Sequence, residues 1–296
     1  MKTKISVVVV TFNGSKWLDK MLQSVFNSSV EIELLIVDNA STDNSVAIIE
    51  KYDKVHLIKS NVNLGFGKAN NIGIKAALQK NADFVFLLNQ DTWIFEKTIE
   101  IVVNTAQKHT DLGIVSPLHL SANEKDLDQN FKIYYQYKSI TDDPNVAEVP
   151  FVNAAAWLIS KECFAKIGLF EPFFNHYGED RNFCNRLQFH GFKVGIVKAT
   201  AIVHDRISTR SFKKDILQSE YKILNAFLNI NTHFFQSCVI AFKNVFGLPK
   251  FFFYNYSIFK IVIFFFKLLF YFFKNLATYQ TIISIRSQSK KGINGL

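Results

Sequence analysis

At 296 residues the chain has room for one large α/β domain of about 200–250 residues plus an appendage, with a sizeable core. Its net charge of +9 sits at one end, because residues 1–208 hold 22 Lys/Arg against 23 Asp/Glu while residues 209–296 hold 12 against 2. That basic end is crowded with Phe, which suits an anionic lipid surface and argues against nucleic acid. Three scattered cysteines (Cys163, Cys184, Cys238) argue against a zinc cluster or disulfide framework and fit a reducing cytoplasm.

The apolar run 5–10 after Lys2 and Lys4 is too short for a signal sequence and reads as a first strand. From there to about residue 115, short β-branched runs alternate with helical patterns. Strands are predicted over 5–12, 33–37, 55–59 and 84–88, and helices over 16–27, 42–51, 67–79 and 95–108. This alternation predicts right-handed crossovers and a mainly parallel sheet flanked by helices. Ligands of such sheets bind at the carboxyl ends of the strands, which here carry Thr11 to Gly14, Asp38-Asn39, residues 61–67 and Asn89-Gln90-Asp91.

Residues 116–150 are polar and turn-rich and read as a loop or hairpin insertion. An apolar run over 151–159, a short helix from Lys161, a Phe-rich loop over 170–177, a helix over 179–190 and two short strands, 194–197 and 201–204, complete a body ending near Ser211. The body divides into two parts, 1–115 and 146–211. Beyond it, 212–296 reads as a helical tail broken at Gly247-Leu248-Pro249. In its last segment, 250–275, Lys260, Lys267 and Lys274 recur on one side of a helix otherwise rich in Phe, Ile and Leu. Spanning a bilayer would bury Lys267 at a cost of about 2.5–3.5 kcal/mol. Lying flat costs less, so the segment is expected to anchor the chain peripherally at the inner face of the cell membrane, with a span or a helix buried against the body as the other readings.

Five constellations can carry chemistry. Asp38 ends a strand and could accept from a base imide or ribose hydroxyl, or simply cap the next helix. Gly65 and Gly67 before a helix could let backbone N–H groups approach a diphosphate, or be ordinary loop glycines. Asp91 could ligate Mg²⁺ or Mn²⁺ and offset charge on a departing diphosphate, or be a turn residue. Glu179-Asp180 opens a helix within an aromatic surround and could supply a general base, or complement the helix dipole. His204 ends a strand and is either a further metal ligand or a satisfied histidine.

In order and placement these marks resemble the family 2 glycosyltransferases of the GT-A fold, and most closely their rhamnosyltransferase-like, polysaccharide-assembling branch. The resemblance covers about residues 4–211. It rests on Val8-Val9-Val10-Thr11-Phe12-Asn13, Val37-Asp38-Asn39 with Ser41 and Asp43, and Asn63, Gly65-Phe66-Gly67 and Asn70-Asn71. Further marks are Leu88-Asn89-Gln90-Asp91, Asn153 to Ile159, Glu179-Asp180 with Arg186, and His204. It implies a metal-dependent, inverting transfer of a hexose from a UDP- or dTDP-sugar to a hydroxyl of a glycan acceptor, expected to be lipid-linked. By the same resemblance, Thr11, Asn13, Asp38, Asn39, Gly65, Gly67, Asn70, Asn89 and Asp91 would bind the donor, and Asp91 and His204 the metal. Asp180 would be the catalytic base, with Ala154, Trp157, Glu179 and Arg186 at the acceptor. Three positions depart from the pattern: Asn89 replaces the first acid of a DxD motif, Ala154 a common glycine, and Asn182 a frequent second acid. The alternatives are a sugar-nucleotide nucleotidyltransferase, for which the Thr11 to Gly14 turn is poor in glycine and basic residues, and a non-catalytic nucleotide-sugar-binding protein at the membrane.

Overall fold

A computed structural model describes residues 2–206 and 210–293. Strand β1 (Ile5–Thr11) leads through α1 (Ser15–Phe26) to β2 (Glu33–Asp38), α2 (Ser45–Ile49) to β3 (Val55–Lys59), and α3 (Phe66–Gln79) to β4 (Phe84–Asn89). These four strands pair in parallel, β1 between β2 and β4, with Thr11 beside Asp38 and Val10 beside Asn89. Their side chains alternate between two cores. Val7, Val9, Leu34 and Ile36 pack on Leu18, Met21 and Leu22 of α1, while Val8, Leu35, Val85 and Leu87 pack on Ile74 and Ala77 of α3.

The second half adds β5 (Thr92–Ile94), α4 (Thr98–Lys108), β6 (Leu112–Ser121), α5 (Gln129–Tyr135), β7 (Ser139–Ile140), β8 (Val146–Val149), β9 (Ala156–Ser160), α6 (Lys161–Ile167), α7 (Glu179–Phe189) and β10 (Lys193–His204). Among the described residues the sheet runs β3-β2-β1-β4-β9-β6-β10-β8-β7, with β5 also on β10. It is mixed rather than mainly parallel, because β9 enters antiparallel between β4 and β6. The polar stretch expected as an insertion begins inside β6, whose Ser116, Pro117 and His119 disguise the strand. Pro117, which has no N–H to donate, faces Val197 where the register of β10 shifts. That irregularity, between Val197 and Ala201, joins what the sequence presents as two short strands.

The tail is four helices, α8 (Phe212–Leu228), α9 (Phe234–Phe251), α10 (Ile258–Ala277) and α11 (Tyr279–Lys291). The break expected at Gly247-Leu248-Pro249 is absent. Leu248 and Pro249 are buried inside α9, and that burial offsets the hydrogen bond Pro249 cannot donate. The chain breaks instead at 229–233 and 252–257. Ile223, Phe227, Ala241, Val245, Phe264, Leu268 and Ile282 form a third core. Arg286 ties this bundle together, donating to the carbonyls of Phe227 (2.8 Å), Asn229 and Thr232 (2.5 Å each), and His190 at the end of α7 meets Ser289 O at 2.9 Å. The tail is therefore folded onto the body.

Candidate active site

Parallel pairing delivers the ends of β1, β2 and β4 to one edge of the sheet. Thr11 donates to Gln90 Oε1 (2.7 Å), and the same oxygen accepts from Phe12 N (2.9 Å), which locks the β1 and β4 ends together. Asn13 accepts from Thr42 N (2.8 Å) and so closes the turn after β2. Asp38 is buried. Its Oδ2 accepts from Ser41 N (3.2 Å), while Oδ1 has no partner among the described residues. Buried carboxylate oxygens rarely stay unpaired, so this atom is a place for a ligand's donor.

Beyond β4, the short β5 pairs antiparallel with the end of β10, Thr92 facing His204. This crossing brings two residues distant in sequence together: His204 Nε2 lies 3.3 Å from Asp91 Oδ1. On the other side of the ring, Arg206 Nη2 approaches His204 Nδ1 at 3.3 Å. His119 lies beneath, buried, with burial holding its imidazole well below the usual range and therefore neutral.

Asp91, His204 and Asn89 open onto a cleft of about 1030 Å³ whose other walls include Asn153, Ala154, Glu179 and Asp180. The chain enters α7 through Gly178, which has φ +90° and no room for a Cβ, since one would sit 2.6 Å from Asn225 Nδ2. Asp180 Oδ1 accepts from Arg181 N at 2.7 Å, and burial in the cleft wall raises its carboxyl above the ordinary range. Glu179 is more enclosed, with Oε2 buried and unpaired. Burial, reinforced by the Asp180 charge, pushes it up to about 8, so it is largely protonated at neutral pH.

Several expected contacts do not reach the cleft. Trp157 is fully buried, packed against Phe170 and Phe183. Arg186 is equally buried and donates to Ile167 O (2.5 Å), Leu169 O (2.6 Å) and Asn182 Oδ1 (3.0 Å). Neither is placed to touch an acceptor. Asn39 spends its amide on Asn63 Oδ1 (3.0 Å) and Leu64 N (2.8 Å), and buried Asn70 on Phe66 O (3.0 Å). The glycines also serve packing. A Cβ on Gly65 would sit 1.8 Å from Asn175 O, and one on Gly67 would sit 3.2 Å from Phe170 Cβ, so the loop before α7 fills the space a side chain would take at either position.

Other residues escaped the sequence reading. Arg206 lines the cleft, as does Tyr134, whose hydroxyl burial and the Asp180 charge push up. So do Lys214, Gln218, Tyr221, Lys222 and Asn225 of α8, which place the tail in the wall of the site. Arg206 follows a strand end by two positions and could have been suspected; the α8 residues carry no local signal.

Residues 6–168 match the family model "Glycosyl transferase family 2". The chain is 24% identical over 246 residues to a low-salt glycan biosynthesis hexosyltransferase of Haloferax volcanii, covering 80% of this chain and 78% of that protein. It is 26% identical over 245 residues to the dTDP-rhamnosyl transferase RfbF of Shigella flexneri, covering 77% and 80%. Among solved structures, the mannosyltransferase of Pyrobaculum calidifontis in complex with GDP-Man and Mn²⁺ superposes with a TM-score of 0.61 at 13% identity, over 98% of this chain and 86% of that one. The Staphylococcus aureus TarS fragment 1–349 in complex with UDP superposes with a TM-score of 0.58 at 17% identity, over 86% and 73%. Fold, edge-of-sheet cleft and family match agree: the chain is a glycosyltransferase of family 2 with the GT-A fold.

Proposed function

We propose that the chain transfers a hexose, with inversion, from a UDP- or dTDP-sugar to a hydroxyl of a growing, lipid-linked glycan. The observation that carries this reading is the presence of Asp91, His204 and Asp180 on one cleft large enough for a sugar. Asp38 Oδ1 would receive the base or ribose, with Thr11 and Asn13 shaping the turns beside it. Asp180 would take the acceptor proton as the new bond forms, its basicity raised by the enclosing walls. Arg206 lies beside His204, where its charge faces a departing diphosphate.

The donor set at Asp91 and His204 fits Mg²⁺ or Mn²⁺. Oδ1 and Nε2 are separated by 3.3 Å, close to the roughly 3 Å between neighbouring ligands of an octahedral ion with bonds of about 2.1 Å. Among the described residues no cluster of three ligating side chains exists, so diphosphate oxygens and water would complete the shell. Such an ion supplies charge neutralisation at the leaving group.

Thermal melts of the full chain with Mn²⁺ and a panel of UDP-, dTDP- and GDP-sugars test the donor assignment. A ligand at 100 times its dissociation constant adds about 2.7 kcal/mol. At roughly 2–4 °C per kcal/mol, the cognate donor should raise the midpoint by about 5 °C or more. No shift with any member of the panel would remove the donor assignment.

The same reading places the protein at the cytoplasmic membrane surface, held through residues 250–275. Among the described residues no single helix is long and apolar enough to cross a membrane; α10 and α11 pass by length and composition only as a pair bent by 72°. Helix α10 buries Ile261, Phe264, Leu268 and Phe272 in the bundle and exposes Phe259, Phe266, Phe270 and Phe273 on the opposite side. Lys260, Lys267 and Lys274 lie exposed on one flank between these faces. A helix lying on anionic headgroups needs this arrangement. Each lysine contributes about 1 kcal/mol near such a surface, so replacing all three with Gln should weaken binding to phosphatidylserine vesicles about 100-fold. Unchanged sedimentation with vesicles would count against the docking.

A further inference from the structure

The cleft extends beyond Asp180 into a half that sugar transfer alone does not explain. One wall is a single face of α8, where Lys214, Gln218, Tyr221, Lys222 and Asn225 recur at helical spacing while Ile216, Ile223, Leu224 and Phe227 on other faces enter the bundle core. Across from it stand His176 and Arg181, the latter stacked 3.5 Å over the Phe151 ring. Three cations gather here, with Asp180 beside Arg181 and Asp215 on α8 as the nearby acids. Lys214, Lys222 and Arg181 belong to none of the ion pairs among the described residues. Asp215, the acid α8 adds to the cleft, is already occupied by the Tyr256 hydroxyl (2.6 Å) and Arg210 Nε (3.3 Å). Burial and then the Arg181 charge push the Lys222 ammonium below its usual range, and burial and then the Lys214 charge lower the His176 imidazole, so Arg181 and Lys222 stand as two cations within reach of one another. Such a pairing is unfavourable while empty and becomes favourable when an anion lies between.

We propose that this half of the cleft is an acceptor subsite for a phosphate or diphosphate group, held by Arg181, Lys214 and Lys222. The inference rests on the transferase reading above and narrows its acceptor to an anionic one. The donor's own diphosphate is provided for elsewhere, at Asp91, His204 and Arg206. Asn225 supports the assignment: its Nδ2 donates to Gly178 O (2.9 Å), while its buried Oδ1 has no partner among the described residues and is free to accept from an acceptor hydroxyl. The cleft ends at Asn229, Ile240 and Asn244, with Ile240 part-exposed on α9. A chain attached to the phosphate would leave there, toward the apolar outer side of the bundle.

The test uses the full chain with saturating UDP, so that the donor diphosphate site is filled, and two probes: farnesyl diphosphate in phosphatidylcholine vesicles, and glycerol 3-phosphate in solution. The wild type should bind at least one probe, with an affinity that falls as salt rises. The double variant Lys214→Gln/Lys222→Gln should bind it at least tenfold more weakly while UDP affinity stays within twofold, and Lys214→Arg/Lys222→Arg should recover most of the loss. Preference for the farnesyl probe identifies a lipid-borne phosphate; equal or better binding of glycerol phosphate identifies a soluble phosphorylated polyol, and either supports the subsite. Wild-type-like binding by the Gln variant, no binding of either probe, or a parallel loss of UDP affinity overturns it. Failure of the wild type to bind either UDP or dTDP would instead remove the proposed donor itself.

Discussion

Replacing Asp180 with Asn is expected to lower the transfer rate constant by about 10²–10⁴-fold while leaving nucleotide affinity within about twofold. The amide keeps the shape and can still accept from Arg181 N, but it cannot take a proton, so the loss falls on kcat and not on donor KM. The pH profile sharpens the test. Because the Asp180 carboxyl is raised above the ordinary range, the wild-type rate should fall on the acid side at a higher pH than an ordinary aspartate would allow, and the variant should lack that limb. Glu179 distinguishes base from neighbour. Its native carboxyl titrates near 8 against 4.5 for the free group, so the unfolded state loses that proton first and relative stability declines as pH rises from about 4.5 to about 8. Glu179→Gln removes this penalty: its melting midpoint should exceed the wild type's at pH 8 by more than at pH 5, with transfer retained. Unchanged turnover in Asp180→Asn would reassign the base.

Arg186→Met is expected to destabilise the fold by at least about 3 kcal/mol. The guanidinium is wholly buried, and burial lowers it only to about 10, so it remains charged at neutral pH. Removing it strands the Ile167 and Leu169 carbonyls and the Asn182 amide oxygen, and takes a countercharge from buried Glu171. Arg186→Lys should recover only part of this, since one ammonium cannot span the fork. The damage should reach the chemistry. Leu169 precedes Phe170, whose N–H and carbonyl pair with Asn71 at 2.9 and 2.8 Å and hold the loop that leads to Asp180. Urea unfolding checks the stability loss. A variant with wild-type stability and a raised acceptor KM would restore Arg186 to the acceptor site.

Much of this molecule was legible before its coordinates. Short, nearly continuous apolar runs alternating with helical patterns predicted β1 to β4 and α1 to α4 nearly in place, because each face of a two-sided sheet must be apolar whatever its partner. The residues at strand ends followed, since parallel strands with right-handed crossovers bring their carboxyl ends to one edge. Thus Asp38 and Asp91 stood out from position alone, and Asp180 from its place at the head of a helix in an aromatic surround.

What the sequence could not decide depends on which distant partner each residue meets. His204 reaches Asp91 only because β5 pairs antiparallel with the end of β10, a choice of register that neither segment encodes alone. Arg186 and Trp157 carry polar atoms that suit a site, yet Arg186 is satisfied by backbone carbonyls, which every residue possesses and no pattern reveals. Gly65 and Gly67 looked like phosphate-loop residues, but the need for glycine came from the loop before α7 passing over them. Helix α8 read as tail, and only packing turned its lysines toward Asp180. Composition determines which surfaces must be buried and which groups can react. The tertiary fold determines which of them face one another, because that outcome is set by long-range pairing and packing.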